Sequence, residues 1–186
     1  MSLTRVDAWR LIEDHVESVN TRRHMLACEA IMRAVGDRLG EDAELWALAG
    51  LVHDLDVEAT ADDATRHGVE GAEALGAAGA PEAVTRAVAA HNEMTGVAAE
   101  SRMEIALVAA DQLSGLITAA TLVRPDRSLA SVKLKSLKKR YRETAFARGV
   151  DRASIARCEE LGLSLDEFMA TGLAAMQGVA DDLGLV

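Results

Sequence analysis

Apolar residues recur every three or four positions through most of the chain, which is the spacing of one face of an α-helix. Trp9, Ile12 and Val16 show this period near the start and predict a helix over about residues 3–19. Further helices are predicted where the period continues or the segment is almost wholly apolar: about 24–35, 42–54, 67–78, 81–93, 101–123, 131–148, 151–160 and 164–182. We therefore expect an all-α fold.

Polar segments separate the predicted helices. Asn20 and Thr21 are expected to break and recap the chain between the first two helices, and residues 56–66 are expected to form a loop. Asp, Thr and Glu in that run compete with a helix for backbone hydrogen bonds. No segment has the composition of an interdomain linker. We predict one domain over residues 1–186, with a motif core at about 24–111 and C-terminal helices at about 128–184.

Composition supports this prediction and narrows the class of protein. Of the 186 residues, 49% are hydrophobic but only 3% are aromatic, and the net charge is −10. A sheet protein needs more of the aromatic and β-branched side chains that fill a pleated surface. The longest apolar stretches, such as Ala47–Val52 and Ile105–Ala110, are far shorter than the roughly 20 residues that cross a bilayer. Charged residues at positions 5–14 interrupt any secretion signal, so a cytoplasmic protein without a membrane partner is expected.

The two cysteines, Cys28 and Cys158, lie far apart and form no CxxC motif. Reduced thiols that act as small core residues are therefore expected. Cys28 stands four residues after His24, on the same helical face, and this spacing leaves a His/Cys metal pair open.

Histidine and aspartate residues form an ordered set around the most apolar predicted helix. His53 and Asp54 stand side by side at the end of an apolar run, where a charged carboxylate is costly unless a cation pairs with it. Imidazole and carboxylate groups are ligands of Zn, Fe and Mn, and separate helices of a bundle can aim them at one point. The set consists of His24, His53-Asp54, His67, His91 and Asp111.

Three segments around these residues resemble the motif regions of the HD-domain superfamily, a helical, metal-dependent group that phosphohydrolases dominate. The segments are Val52-His-Asp-Leu-Asp56, His67-Gly-Val-Glu-Gly-Ala72 and Ala110-Asp-Gln-Leu-Ser-Gly115. The C-terminal part is similar to that of small bacterial HD-domain predicted hydrolases. The resemblance implies an HD-domain helical bundle with a metal site between its helices.

The resemblance also implies a ligand set. A first metal ion would be held by His24, His53, Asp54 and Asp111. In members with two ions the doublet aspartate bridges them, and the second ion would be held by His67 and His91. The implied cofactor is therefore one or two divalent ions, and the sequence does not distinguish Fe, Mn, Zn, Mg, Co and Ni.

The implied reaction is hydrolysis of a small phosphorylated metabolite or nucleotide by attack of metal-bound hydroxide on the phosphate ester. Asp54 would act as the bridge, and Asp56, Glu58 and Glu93 are candidates to protonate the leaving group or to orient water. Two alternatives stay open. A few members with the same ligand set hold two irons and oxidise a substrate with O₂, and a regulatory module would bind metal without turnover.

One branch of the superfamily is not expected. Members that act on cyclic dinucleotides carry a lysine soon after the doublet and an extended Gly-Tyr-Pro motif. This chain has Asp56-Val-Glu58 and His91-Asn-Glu-Met94 in the corresponding regions.

Basic residues concentrate between Arg124 and Arg148, where nine Lys and Arg stand against two acids. This local net charge of +7 leaves −17 for the rest of the chain. One flank of the predicted helix carries Lys135, Lys138, Lys139 and Arg142. A cationic flank of this kind can collect a small phosphorylated substrate. The alternative is a solvated face or a contact with another acidic subunit, which leaves a homo-oligomer open.

Nucleic acid is not an expected partner. The basic segment contains one aromatic residue, Tyr141, and therefore lacks a platform on which bases can stack. The net charge of the whole chain also opposes polyanions.

Overall fold

The computed structural model of the chain describes residues 3–186, which form ten α-helices joined by turns and short 3-10 segments. These residues contain no strand, so the predicted all-α class is confirmed. The helices are α1 (Arg5–His15), α2 (Val19–Leu39), α3 (Ala43–Val52), α4 (Val69–Ala77), α5 (Glu82–Ala90), α6 (Arg102–Leu122), α7 (Leu134–Arg142), α8 (Arg152–Ala156), α9 (Leu165–Gly178) and α10 (Ala180–Leu183).

The two longest helices, α2 and α6, cross a hydrophobic core that draws on most of the other helices. α2 packs against α3, α6 and α9, while α6 also contacts α5, α7 and α8. Leu107, Leu113 and Ile117 on α6 are fully buried. Burial of each such side chain contributes about 1.5–3 kcal/mol. The frame of α2, α3 and α6 is therefore the firmest part of the fold.

α6 is long and apolar enough to cross a bilayer by length and composition alone. In the fold, 67% of that apolar window is buried against other parts of the chain. This burial is typical of the central helix of a bundle, which is hydrophobic on most of its faces. Within residues 3–186 no second helix meets the same criterion.

The chain break predicted at Asn20 and Thr21 is wrong. α1 ends at His15, and α2 begins at Val19 because the Ser18 hydroxyl accepts a hydrogen bond from the Thr21 N–H and caps the helix. Asn20 and Thr21 therefore lie in the first turn of α2, and His24 belongs to its second turn.

The helix predicted over about 131–148 ends at Arg142, and the following segment is compact without being helical. Its backbone wraps around the Arg152 guanidinium, which donates hydrogen bonds to the carbonyl oxygens of Tyr141, Glu143, Phe146, Ala147 and Val150. The Arg152 side chain thus satisfies four carbonyl groups within residues 143–151, and the segment stays compact without a continuous ladder of helical hydrogen bonds. This segment forms part of the wall of the cavity described below.

α2 and α3 approach most closely at Gly50. A Cβ atom at this position would lie 2.6 Å from the carbonyl oxygen of Cys28 and 2.9 Å from the Glu29 nitrogen. Both atoms belong to the α2 backbone, which cannot move aside without separating the helices. The close contact places His24 of α2 beside the end of α3, where His53 follows.

Replacing Gly50 with alanine should lower the free energy of unfolding by roughly 1–3 kcal/mol, since overpacking against backbone outweighs the gain of about 1 kcal/mol in helix propensity. Urea denaturation followed by circular dichroism measures this change. The matched control is Gly76→Ala on α4, where the nearest atom, Thr85 Cγ2, is 4.0 Å from the added Cβ. The control should be neutral or slightly stabilising, and equal losses in both variants would contradict the close-approach argument.

Candidate metal centre

Four histidines and two aspartates meet where the ends of several helices converge on the middle of α6. His24 lies on α2 and Asp111 on α6, while His53 and Asp54 directly follow α3. His67 lies two residues before α4, and His91 caps the C-terminal end of α5. The structure thus brings together all six residues that the sequence predicted as ligands: His24, His53, Asp54, His67, His91 and Asp111.

The first group of donors surrounds the Nε2 atom of His24. This atom lies 3.0 Å from Asp111 Oδ1, 3.2 Å from His53 Nε2 and 3.4 Å from Asp54 Oδ2. Two imidazole nitrogens and two carboxylate oxygens therefore face one small volume between α2, α3 and α6.

The second group lies on the other side of the Asp54 carboxylate. Asp54 Oδ1 is 3.3 Å from His67 Nε2 and 3.5 Å from His91 Nε2, and the two nitrogens are 3.1 Å apart. Asp54 thus has Oδ2 next to His24 and Oδ1 next to His67 and His91, and His53 Nε2 of the first group also lies 3.3 Å from Oδ1. This is the placement expected of a residue that bridges two groups of ligands.

Backbone carbonyl groups orient two of the imidazole rings. The Nδ1 atom of His53 lies 2.9 Å from the Gly50 carbonyl oxygen, and that of His91 lies 2.6 Å from the Val88 carbonyl oxygen. Both histidines are C-cap residues, so the acceptor in each case is a carbonyl group that the last helical turn leaves available. A ring that donates from Nδ1 keeps its lone pair on Nε2 for a metal ion.

Side chains orient the other two rings. His24 Nδ1 lies 2.9 Å from the hydroxyl oxygen of Ser114, which in turn donates to the carbonyl oxygen of Asp111. His67 Nδ1 lies 2.9 Å from Asp56 Oδ1. All four histidines therefore present Nε2 to the centre and hold Nδ1 in a separate hydrogen bond.

Asp56 lies behind His67 and is fully engaged by protein groups. Besides the imidazole of His67, its carboxylate accepts the N–H groups of Gly68 at 2.8 Å and Gly71 at 2.7 Å. Burial would raise the pKa of Asp56, but these hydrogen bonds hold the pKa below its ordinary value. An ionised carboxylate with three donors does not fit the role of proton donor predicted for Asp56. Its contacts assign it to positioning His67.

Electrostatics favour a cation at this site. Complete burial lowers the pKa of His53 to about 4, so its ring is neutral and able to bind a metal. Burial would raise the pKa of Asp54, but the surrounding imidazoles of His53, His67 and His91 hold it well below its usual range. Burial would lower the pKa of His24 and of His67, but Cys28 and Asp111 hold that of His24 well above its ordinary value, and Asp54 and Asp56 raise that of His67 to about 9. Protons on these two imidazoles therefore balance the nearly buried carboxylate, and a metal ion bound at their Nε2 atoms would take the place of those protons.

The donor set fits divalent metal ions by chemistry and by spacing. Two ligands that each lie about 2.1 Å from one ion are about 3.0 Å apart at a right angle and about 3.4 Å apart at the tetrahedral angle. His24 Nε2 lies 3.0–3.4 Å from its three neighbours, and the contacts around Asp54 Oδ1 on the other side measure 3.3–3.5 Å. The centre can therefore hold a divalent metal ion.

Cys28 lies beside the first group. Its Sγ atom is 3.9 Å from His24 Nε2, and by distance alone it groups with His24, His53 and Asp111. Burial raises the pKa of the Cys28 thiol, and a neutral thiol is a weak ligand because the thiolate is the form that binds metal. We therefore regard Cys28 as a neighbour of the candidate ligands and do not count it among them. Cys28 and Cys158 are both free and buried, as predicted.

A cavity of about 910 Å³ opens onto the centre. Four of the six ligand residues line it: Asp54, His67, His91 and Asp111. The rest of the wall comes mainly from residues 92–99 after α5 and residues 149–157 around the start of α8. Glu93 lies on this wall, in a 3-10 turn, and is exposed. The cavity gives a small molecule direct access to the ligand residues.

Gln112 joins the metal centre to this wall, a role that sequence reasoning missed. Its amide nitrogen donates to Asp111 Oδ2, and its amide oxygen accepts the Asp151 N–H, both at 2.8 Å. The one signal available in the sequence was its position next to a predicted ligand. No spacing rule connects Gln112 to a residue 39 positions away.

Two sets of predicted functional residues lie outside the cavity wall. Glu58 accepts the N–H groups of Glu17 and Ser18 and so anchors the start of α2. The basic residues of α7 line a separate surface depression, where Lys138 pairs with Asp166 of α9. These residues are Lys135, Lys138, Lys139 and Arg142. Because these basic residues do not line the cavity at the centre, their position does not support direct binding of a substrate there.

A helical bundle in which four histidines and two aspartates face one small volume is the arrangement of proteins that can hold metal ions between their helices. The family model described as HD domain matches residues 21–116, a span that contains all six ligand residues. The chain belongs to the HD-domain family, as the sequence motifs predicted. Comparisons with curated proteins and with solved structures find no match to this chain.

Replacing His67 and His91 together with alanine should remove about one metal equivalent from a two-metal parent and leave the first group occupied. Replacing Asp54 with alanine should reduce both occupancies, because its two oxygens face both groups. Elemental analysis of the purified variants measures the stoichiometry. His15→Ala, on the exposed end of α1, is the matched control. Unchanged stoichiometry in the double variant would assign His67 and His91 another role.

Replacing Asp56 with asparagine should weaken the binding of the metal held by His67 by about 10- to 100-fold, the usual effect of losing a carboxylate partner behind a histidine ligand. Metal titration of the apoprotein measures this affinity, with the exposed Asp62→Asn as control. Normal metal affinity combined with a loss of turnover would instead support Asp56 as a proton donor.

Proposed function

We propose that this protein is a metal-dependent phosphohydrolase that acts on a small phosphorylated metabolite or nucleotide. The observation that carries the proposal is the cavity that leads directly to Asp54, His67, His91 and Asp111. Membership of the HD-domain family supports it, because HD domains are typically metal-dependent phosphohydrolases.

Divalent ions held by the six ligands would lower the pKa of a water molecule and polarise a phosphoryl oxygen. The chain's own residues prepare the site for this chemistry. Asp54 holds the two donor groups in fixed relation, while Gln112 fixes the orientation of the Asp111 carboxylate. Glu93 is the acid on the cavity wall that can protonate a leaving group or orient water.

The proposal includes a location and a choice of partners. Two buried, unpaired cysteines fit the reducing conditions of the cytoplasm. The partner we propose is the small phosphorylated substrate. A net charge of −10 disfavours nucleic acid and anionic membrane surfaces.

A second candidate follows from the two donor groups that share Asp54. The same arrangement suits two irons that activate O₂ to oxidise a substrate, and this oxygenase chemistry needs the same six ligands. A regulatory module that binds metal without turnover is the third candidate.

One experiment separates the three. Protein purified without added metal is analysed for its metal content and then assayed for phosphate release from a panel of phosphate esters and for O₂ consumption. We expect phosphate release without O₂ uptake, lost on chelation and reduced at least about 100-fold in Asp54→Asn, since that variant loses the shared carboxylate. The exposed Asp62→Asn should keep full activity. O₂ consumption would favour the oxygenase, and neither activity in metal-loaded protein would favour the regulatory module.

A further inference from the structure

The cavity wall beyond the metal ligands carries an unusual set of charges for a phosphate-binding site. Three charged residues occupy this part of the wall: Glu93, Asp151 and Arg157. Both acids are exposed. No lysine is among the residues of the described chain that line the cavity.

The one cation on this wall is already paired. The Arg157 guanidinium donates from Nε to Glu160 at 2.7 Å, and its Nη2 atom donates to Glu160 at 3.2 Å and to the Ala99 carbonyl oxygen at 3.0 Å. Its charge is therefore largely compensated by a residue outside the cavity lining. The wall beyond the centre is neutral to negative.

Much of the remaining wall is apolar. Val57, Val97 and Val108 line it together with several alanines, and Met94 lies on it with 58% of its surface exposed. An exposed methionine next to a cavity is a typical contact for the apolar part of a ligand. A volume of about 910 Å³ is also large enough for more than a phosphate group.

We propose that the substrate is a phosphomonoester whose single terminal phosphate is attached to an uncharged, largely apolar body. This inference rests on the proposed function and narrows its substrate class. A second phosphate along the same molecule would share the cavity with Glu93 and Asp151 without a free cation to receive it, and like charges repel. Polyphosphates and dinucleotides are therefore poor ligands. The basic residues that could bind a further phosphate lie on α7, in a separate depression.

Each wall acid can be replaced by the amide of the same size, which removes the charge. Asp151 caps α8 by accepting the N–H groups of Ala153 at 2.9 Å and Ser154 at 3.1 Å. Asparagine is also a preferred N-cap residue, so Asp151→Asn removes the charge while its one amide oxygen can still accept a cap hydrogen bond. Glu93→Gln is conservative in the same way. The matched control, Glu73→Gln with Asp181→Asn, removes two exposed charges that do not line the cavity.

The test uses non-hydrolysable probes, so that binding is measured independently of turnover. One aryl group carries either a single phosphonate or two phosphonates joined by a methylene bridge, and methylphosphonate serves as the probe without a body. Calorimetry on the metal-loaded protein gives each Kd. We expect the monophosphonate to bind at least about tenfold more tightly than the diphosphonate, and the aryl body to contribute about another tenfold.

The variants isolate the contribution of wall charge, because a second phosphonate also chelates metal in every variant alike. The double variant Glu93→Gln/Asp151→Asn should bind the diphosphonate more tightly, which reduces the preference for the monophosphonate to about threefold or less. The control double variant should keep the full preference. If the double variant is poorly folded by circular dichroism, Glu93→Gln alone should shift the preference in the same direction. An unchanged preference, or a native protein that binds the diphosphonate as tightly, would overturn the inference.

Phosphate release from the corresponding aryl phosphate and diphosphate is measured in parallel. Selective binding of the monophosphonate without any phosphate release would overturn the proposed hydrolase function and leave the ligand class standing. Equal kcat/KM for both esters would overturn the ligand class and leave the hydrolase standing. Failure of every probe to bind would overturn both.

Discussion

The arrangement of this molecule depends on one nearly buried carboxylate. Asp54 follows the apolar helix α3 and stands where water cannot easily solvate its charge. Imidazole nitrogens surround both of its oxygens, and each imidazole needs its own partner at Nδ1 to keep Nε2 turned inward. The Gly50 and Val88 carbonyl groups, the Ser114 hydroxyl and the Asp56 carboxylate meet these needs. The chemistry of one side chain thus fixes residues on five segments of the chain.

The helix packing serves the same end. α2 and α3 must come close enough for His24 and His53 to face each other, and Gly50 permits this contact. Asp56 likewise requires small residues around it. Gly68 adopts a φ of +95°, which a side chain rarely tolerates, and Gly71 leaves room for the carboxylate that its own N–H group binds. The site is therefore held by backbone positions where a larger residue would not fit.

Sequence reasoning predicted the features that local patterns encode. Apolar patterns identified the helices α2, α3 and α6, and the ordered histidines and aspartates, together with the HD-domain resemblance, pointed to the six residues that meet. It failed where the deciding contact comes from a distant side chain. Arg152 stops α7 early by binding carbonyl groups up to 11 residues away, and periodicity contains no sign of this. The flank of α7 was identified as basic, but a charge pattern does not say which cavity a helix faces.

The bridge formed by Gln112 makes the metal centre and the cavity wall mechanically dependent on each other. One planar amide contacts Asp111 at one end and the backbone of Asp151 at the other, so a rotation of the amide changes both contacts at once. Binding free energies that pass through a shared contact are reciprocal. A molecule that reduces the motion of the backbone at Asp151 should therefore also reduce the motion of the Asp111 carboxylate. In the other direction, a metal ion bound at the centre should reduce the motion of the cavity wall that an incoming molecule meets.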